Sequence, residues 1–299
     1  MATWDSRPAL LVGLIGAGIG ASLTPALHER ECAEQGLRSI YRLLDLERLG
    51  LNAGALPELL KAAEWTGFAG LNITHPCKQA VIPLLHELSE DARALGAVNT
   101  VVLRDGKRIG HNTDWWGFAE GFRRGLPDAR RDRVVQIGAG GAGSAVAHAL
   151  LTLGAGRLSV FDVDAARAEA VADALCARFG EGRAVAGTGL PAAMAEADGV
   201  VNCTPVGMAK YPGLPLPAEL LRPSHWVAEI VYFPLETELL RTARALGCAT
   251  LDGGRMAVFQ AVSAFREFTG LEPDAKRMLR HFGELLAARA AATATATAG

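Results

Sequence analysis

The stretch "RVVQIGAGGAGSAVAHALLTLGAGRLSVFDVD", residues 133–164, constrains the fold more than any other part of the chain. A short apolar run ends in Gly138, Gly140 and Gly143, the spacing G-x-G-x-x-G. A helical pattern, "GAGSAVAHALL", starts inside that motif, and a second apolar run, "RLSVF", ends at Asp162. Strand, glycine turn, helix and strand in so short a span predict a βαβ unit of the Rossmann type. Each glycine has a physical task. Gly138 permits the tight turn, Gly140 lets backbone approach a pyrophosphate, and Gly143 lets the helix pack closely on the strand. The helix N-terminus presents free N–H groups and a positive dipole end to an anion. A dinucleotide is therefore expected here.

A second glycine loop raises a competing possibility. In "VGLIGAGIGASLTPALHE", residues 12–29, Gly16, Gly18 and Ala21 repeat the formal spacing. Here the helix starts too late. Pro25 suits the first helical position and Thr24 the N-cap, so the glycine amides would not sit on the first turn. Ser22 and Thr24 stand at the helix entrance, where hydroxyls and a dipole suit a small anion such as a carboxylate. A plain cap and turn fit these residues equally well.

Patterns of strand and helix alternate along most of the chain. An α/β fold with parallel sheets is expected. "ALLVGLIG", "SIYRLLDLE" and "FAGLNIT" read as strands, with helices at "PALHERECAEQG" and "LPELLKAAEW" between them. "CKQAVIPLLHELSEDARALG" reads as helical. "AVNTVVLRDG" and "KRIGHNTD" read as a hairpin turning at Asp105-Gly106. A new unit begins near Trp115 with the helix "WWGFAEGFRRG". Strands follow at "GVVNCT", "WVAEIVY" and "ATLDG", then two helices, "RMAVFQAVSAFREFTG" and "DAKRMLRHFGELLAARA", with no strand after them. The alanine-threonine end of the chain reads as a fraying helix and a disordered tail over 291–299.

At 299 residues the chain has room for about two domains. Its formal net charge of −2 gives no reason to expect nucleic acid or an anionic membrane as partner. No apolar run is long enough to span a bilayer, and the N-terminus lacks the pattern of a secretory leader. The cysteine count, 5, is odd and includes no Cys-x-x-Cys pair. A reducing cytoplasm therefore fits better than a disulfide framework, and no metal site is expected.

Three polar clusters are candidates for chemistry. "GLNITHPCKQA" places Asn72, Thr74 and Lys78 where a strand gives way to a helix. Partial positive charge at a helix N-terminus favours the neutral amine that an acid–base lysine needs; a solvated lysine is the plainer alternative. "HNTD" places Asp114 before a helix, as a cap or as a partner that would instead favour the charged lysine. "GAVNT" adds Asn99. On the nucleotide side, a carboxylate at Asp162 can accept from ribose hydroxyls and would repel a ribose phosphate. Two like charges at ~4 Å cost about 4 kcal/mol at an effective dielectric of 20. Asp164 adds to this repulsion and Arg167 offsets part of it, so NAD is favoured over NADP.

Taken together, "SLTPALHE", "GLNITHPCKQAVIPLL", "LGAVNTVV", "GHNTD", "IGAGGAG", "VVNCTPVGM", "VYFPLETELLRTARALGCATLDGGRMAVFQAV" and "FTGLEPD" resemble the shikimate dehydrogenase family, in particular its quinate/shikimate branch. The resemblance implies two α/β domains with an active-site cleft between them. A substrate domain would comprise residues 1–115 and the returning helices 255–290, and a Rossmann NAD domain residues 116–254. It implies reversible hydride transfer between a ring hydroxyl of quinate or shikimate and a nicotinamide, in a cytoplasmic enzyme that is a monomer or homodimer. Lys78 and Asp114 match the catalytic pair. Ser22 and Thr24 match the hydroxyls that hold the substrate carboxylate; Asn72, Thr74, Asn99, Tyr232 and Gln260 match other substrate-pocket positions. Gly138, Ala139, Gly140, Gly141, Ala142 and Gly143 match the phosphate loop. Asp162 and Arg167 match the adenosine side, Thr204 the "NCT" turn and Gly254 the nicotinamide end.

Two departures from the shikimate-specific pattern bear on function. Asp162-Val163-Asp164 stands where NADP-using members carry Asn-Arg-Thr. Ser22-Leu23-Thr24 stands where shikimate-specific members carry Ser-x-Ser, beside the position of quinate's extra hydroxyl; one methyl there is worth only ~1 kcal/mol. Two other readings remain: an NADP-preferring shikimate dehydrogenase, and a non-catalytic module that binds NAD or a ring acid.

Overall fold

The computed structural model describes residues 9–297. The N-terminal segment read above as lacking a leader lies largely outside the described residues. The chain divides into two compact units, one of residues up to Thr113 together with those from Ala261 onward, the other Asp114–Gln260. The divisions fall two residues before the expected boundary at 115 and six after that at 254, the second inside a helix.

The first unit contains β1 (Ala9–Gly16), α1 (Thr24–Glu34), β2 (Arg38–Asp45), α2 (Leu46–Leu49), α3 (Leu56–Trp65), β3 (Gly70–Ile73), α4 (Cys77–Ala80), β4 (Glu87–Leu88), α5 (Glu90–Leu95), β5 (Thr100–Arg104) and β6 (Lys107–His111). Its sheet has the order β2-β1-β3-β5-β6-β4. This sheet is mixed and contains the expected hairpin: β5 runs antiparallel to β6, and also to β3. The cause is the tight hairpin. Asp105 and Gly106 both have positive φ, 53° and 72°, as a two-residue primed turn requires.

The helical region expected over 77–96 forms as short separate pieces. Only one turn forms at α4, a 3-10 turn carries Pro83, β4 intervenes, and the Ser89 hydroxyl accepts from Ala92 N–H (3.1 Å) to start α5 afresh. Thr24 is likewise not the N-cap of α1. Leu23 holds that position without a side-chain bond, and Thr24 is the first helical residue.

Alternating side chains of the strands serve two cores. Ile15, Leu71, Ile73 and Val101 pack with Leu56, Leu60 and Ala92. Val12, Leu14 and Val102 pack with Tyr41 and Phe268. The C-terminal part of the chain is fixed to this unit by Arg277, whose guanidinium donates to both oxygens of the buried Glu31 on α1 (2.6 and 2.8 Å).

His28 on α1 is fully buried among the rings of Tyr41, Phe265 and Phe268, and neither ring nitrogen has a hydrogen-bond partner. Burial pushes its pKa down to about 4. Folding therefore excludes a proton that the unfolded chain binds near pH 6.5. This contribution to stability is complete above that value and is lost as pH falls toward 4. Between pH 7.5 and 5 the loss amounts to about 2 kcal/mol. His28→Leu should therefore gain about 2 kcal/mol relative to the unsubstituted protein over that interval in urea unfolding. A pH-independent difference would contradict this account.

The second unit contains α6 (Asp114–Gly125), β7 (Arg133–Ile137), α7 (Gly141–Thr152), β8 (Arg157–Phe161), α8 (Ala165–Phe179), β9 (Ala184–Ala186), α9 (Leu190–Glu196), β10 (Gly199–Asn202), β11 (Trp226–Glu229), α10 (Glu238–Ala245) and β12 (Ala249–Leu251). Its six strands are all parallel, in the order β9-β8-β7-β10-β11-β12. Counted from β7 this is 3-2-1-4-5-6, the doubly wound order with its switch point between β7 and β10. Val134, Leu158 and Val201 pack under α6, α7 and α8. Val135, Val200 and Val227 pack under α9 and α10.

Two helices close the chain, α11 (Gly253–Thr269) and α12 (Ala275–Thr297). The tail expected to be disordered over 291–299 instead continues α12 to Thr297. Alanine's high helix propensity outweighs the cost of the threonines. Ala298 and Gly299 lie outside the described residues. Among the described residues no helix is long and apolar enough to cross a membrane, and no group of three or more His, Cys, Asp or Glu side chains gathers as metal ligands.

Candidate functional site

Strand directions decide which residues meet. In the first unit β1 and β3 are parallel, so Gly16 and Ile73 end at one edge of the sheet. The antiparallel β5 starts at that edge, with Thr100 opposite Asn72, and β6 ends there, with His111 opposite Thr100. The loop 17–23, the segment 72–78, Asn99 and residues 111–113 are thereby brought together.

The first glycine loop is already occupied. Gly18 N–H and Ile19 N–H donate to the two oxygens of Asp45, at 3.0 and 3.1 Å. Asp45 is 5% exposed and also caps α2 through Glu47 N–H (3.2 Å). Amides that serve a buried carboxylate of the same chain are not available to a pyrophosphate. The loop presents hydroxyls instead. Ser22 Oγ donates to Thr24 Oγ1 (3.0 Å) and accepts from Thr24 N–H (3.3 Å).

Asn72 and Asn99 belong to one network. Tyr41 OH donates to Asn72 Oδ1 (2.7 Å), and Asn72 Nδ2 donates to Thr100 Oγ1 (3.0 Å). Asn99 Oδ1 accepts from Thr113 N–H (2.7 Å) and from Thr100 Oγ1 (3.1 Å), and Asn99 Nδ2 donates to Thr113 Oγ1 (2.9 Å). Thr74 follows β3, with its N–H on Ile15 O (2.9 Å). Lys78 lies half-buried in the single turn of α4, and its backbone carbonyl accepts from Val98 N–H (2.9 Å). Asp114, one residue beyond Thr113, opens α6 and is 3% exposed.

In the second unit every parallel strand ends at the same edge, the place where doubly wound sheets hold ligands. Gly138 follows β7 with φ +101°, and a Cβ there would meet Cys203 C and O at 2.7 Å. A Cβ on Gly143 would meet Gly138 O at 2.4 Å, whereas one on Gly140 or Gly141 would meet nothing within 4 Å. Two glycines are thus required by packing, and two leave open space at the start of α7. That helix has Gly140 as N-cap and no side-chain cap, so its first amides still need an acceptor. These features fit a dinucleotide pyrophosphate.

Asp162 follows β8. Its Oδ2 accepts from Ala139 N–H (2.7 Å) and its Oδ1 from Asp164 N–H (2.9 Å). Arg167 pairs with Asp164 at 3.1 Å. Thr204 follows β10 and Tyr232, which is 39% exposed, follows β11. Gly254, whose N–H donates to Asp252 Oδ1 (3.0 Å), and Gln260 lie on α11.

Comparison with known proteins places the chain. Residues 14–101 match the model of the shikimate dehydrogenase substrate binding domain. A shikimate dehydrogenase (NADP(+)) of Streptomyces avermitilis is 64% identical over 94% of this chain and 97% of its own length. The chain belongs to the shikimate dehydrogenase family. A quinate/shikimate dehydrogenase (NAD(+)) of Corynebacterium efficiens is 55% identical over 93% of this chain and 99% of its own. The structure of a quinate dehydrogenase from Corynebacterium glutamicum in complex with NAD superposes with a TM-score of 0.89. It is 52% identical and covers 93% of this chain and 100% of its own. The expected two-domain α/β fold is that of the family.

Sequence reading missed several residues of this shikimate dehydrogenase relative. Asp45 and Tyr41 fall within the run read above as the strand "SIYRLLDLE", and nothing in that run singles them out. Gln136 is fully buried in β7, and its Nε2 braces the loop through Gly138 O (2.8 Å) and Gly143 O (2.9 Å); a polar residue within an apolar strand was its available signal. Glu229, 1% exposed at the end of β11, was not singled out. Burial pushes its carboxyl up to about 7 against the hydrogen bonds that lower it.

Proposed function

We propose that the chain is an NAD-dependent dehydrogenase that reversibly oxidises a ring hydroxyl of quinate or shikimate to the ketone. The observation that carries the cofactor choice is the acidic end of β8. Asp162 and Asp164 follow β8 at the edge where an adenosine ribose would lie, and the cation that would offset them, Arg167, is paired with Asp164. The dinucleotide would rest on the amides of Gly140–Gly143 and supply the hydride acceptor. Lys78 Nζ takes the hydroxyl proton during oxidation and returns it during reduction, and Asp114 accepts a hydrogen bond from the hydroxyl. Ser22 and Thr24 donate to the substrate carboxylate. Asn72, Thr74, Asn99, Tyr232 and Gln260 bind the ring substituents, while Thr204 and Gly254 flank the nicotinamide. The five cysteines, all free thiols in the structure, suit a reducing cytoplasm.

A biosynthetic shikimate dehydrogenase preferring NADP is the second reading, favoured by the name of the Streptomyces relative. Catalytic efficiencies with the four acid–cofactor pairs separate the two. Quinate with NAD should be productive, and NADP should be the poorer cofactor with either acid. Asp162→Ala should raise KM for NAD and narrow its advantage over NADP by roughly tenfold, the worth of one charged hydrogen bond. Equal effects on both cofactors would contradict the role given to Asp162. Ligand binding without any turnover would point to a non-catalytic binding module.

A further inference from the structure

We infer that Glu229 is a positioning residue for the dinucleotide side of the site: it sets which way the Asn202 amide points, and through Asn202 it shapes the turn carrying Thr204. The inference rests on the reading of that edge as a dinucleotide site.

Glu229 Oε1 is committed as an acceptor to two backbone N–H groups, so the side of the Asn202 amide that faces it is the donor, Nδ2. Asn202 Nδ2 lies 3.0 and 3.1 Å from the two Glu229 oxygens. Asn202 Oδ1 is thereby directed the other way, where it accepts from Thr204 N–H (3.0 Å) and Thr204 Oγ1 (2.7 Å). Thr204 Oγ1 accepts in turn from Val206 N–H (3.1 Å), and Asn202 Nδ2 also donates to Val206 O (2.9 Å). The whole turn from Cys203 to Val206 is thus built on one amide orientation.

Glu229 is held independently of that amide. Its Oε1 accepts from Ile230 N–H (2.9 Å) and Val231 N–H (3.0 Å), and its Oε2 accepts from Thr237 Oγ1 (3.2 Å) at the cap of α10. The carboxylate is the fixed end of the chain of contacts and Asn202 the group it orients.

The turn also abuts the glycine loop. Cys203 N–H donates to Ile137 O (2.6 Å), and the backbone from Cys203 to Thr204 N occupies the space a Cβ on Gly138 would need. A turn displaced by a reversed Asn202 would press on the loop proposed to hold the pyrophosphate.

An exchange of the two side-chain types tests the inference. In Glu229→Gln the oxygen stays with Ile230 and Val231 N–H, so the new amide nitrogen replaces Oε2 and one of the two acceptors facing Asn202 Nδ2 becomes a donor. In Asn202→Asp two carboxylates confront each other. In the double variant the new Gln donates to the new Asp, which still offers an oxygen to Thr204 but no longer donates to Val206 O. NADH and NADPH affinities measured by fluorescence titration, with thermal midpoints, need no ring acid. Each single variant should bind the preferred dinucleotide roughly tenfold more weakly, as for a mismatched buried hydrogen bond, and the double variant should recover part of that loss. If Glu229→Gln does not fold, a double variant that folds and binds more tightly than Asn202→Asp supports the inference equally. Unchanged binding in Glu229→Gln, or a double variant no better than the singles, would overturn it. An unsubstituted protein that binds neither dinucleotide would overturn the underlying reading as well. One that binds but turns over neither acid would overturn only the proposed substrate.

Discussion

Lys78→Ala is expected to lower kcat for quinate or shikimate oxidation by ~10²–10⁴-fold, the usual contribution of a positioned acid–base group. The hydroxyl proton must leave as the ring carbon is oxidised, and in the variant it can go only to water or to Asp114, both weaker bases than a neutral lysine amine. KM should change much less, because the substrate carboxylate is assigned to Ser22 and Thr24. The fold should survive: the bond from Val98 N–H goes to the Lys78 backbone carbonyl, which alanine keeps. Lys78→Arg sharpens the result. A guanidinium retains the charge but does not deprotonate near neutrality. Arginine should therefore be about as impaired as alanine in kcat. An active arginine variant would reduce Lys78 to an electrostatic role, and an active alanine variant would remove it from the reaction.

Gly138→Ala and Gly140→Ala should fail in different ways. At Gly138 the φ of +101° is strained for any L side chain, and the added Cβ would lie 2.7 Å from the backbone of Cys203. Strain of ~1–3 kcal/mol and displacement of β10's exit turn add together, so a stability loss of roughly 3 kcal/mol or more is expected along with lost dinucleotide binding. At Gly140 the backbone is ordinary, with φ −73°, and a Cβ would meet nothing within 4 Å. Gly140→Ala should unfold in urea like the unsubstituted protein and still bind dinucleotide at least tenfold more weakly, because the methyl occupies the approach to the pyrophosphate. Normal binding by Gly140→Ala would mean that the phosphates do not lie over this turn.

This contrast shows how much of the site was legible. Glycine spacing assigned tasks to Gly138, Gly140 and Gly143, and the geometry shows the tight turn at Gly138 and the close packing at Gly143. The same spacing also occurs at Gly16, where the late start of the helix speaks against a dinucleotide. What separated the two loops in sequence was the start of the following helix, a local feature. What occupies the first loop was not legible. Asp45 reaches Gly18 and Ile19 only because β2 lies beside β1 in the sheet, and nothing local marks that adjacency.

The sequence by itself determined the elements whose causes are local. The βαβ unit around Gly138, the hairpin at Asp105-Gly106 and the late helix after Thr24 follow from periodicity, turn chemistry and residue type within a few positions. Tertiary structure decided the rest. It set β5 beside β3, Arg277 docked on buried Glu31, Asp45 in the first loop and Asn202 oriented by Glu229. Each of these depends on which strands are neighbours and on what a polar group meets once water is excluded. Periodicity records which face of an element is buried; it does not record the partner waiting there.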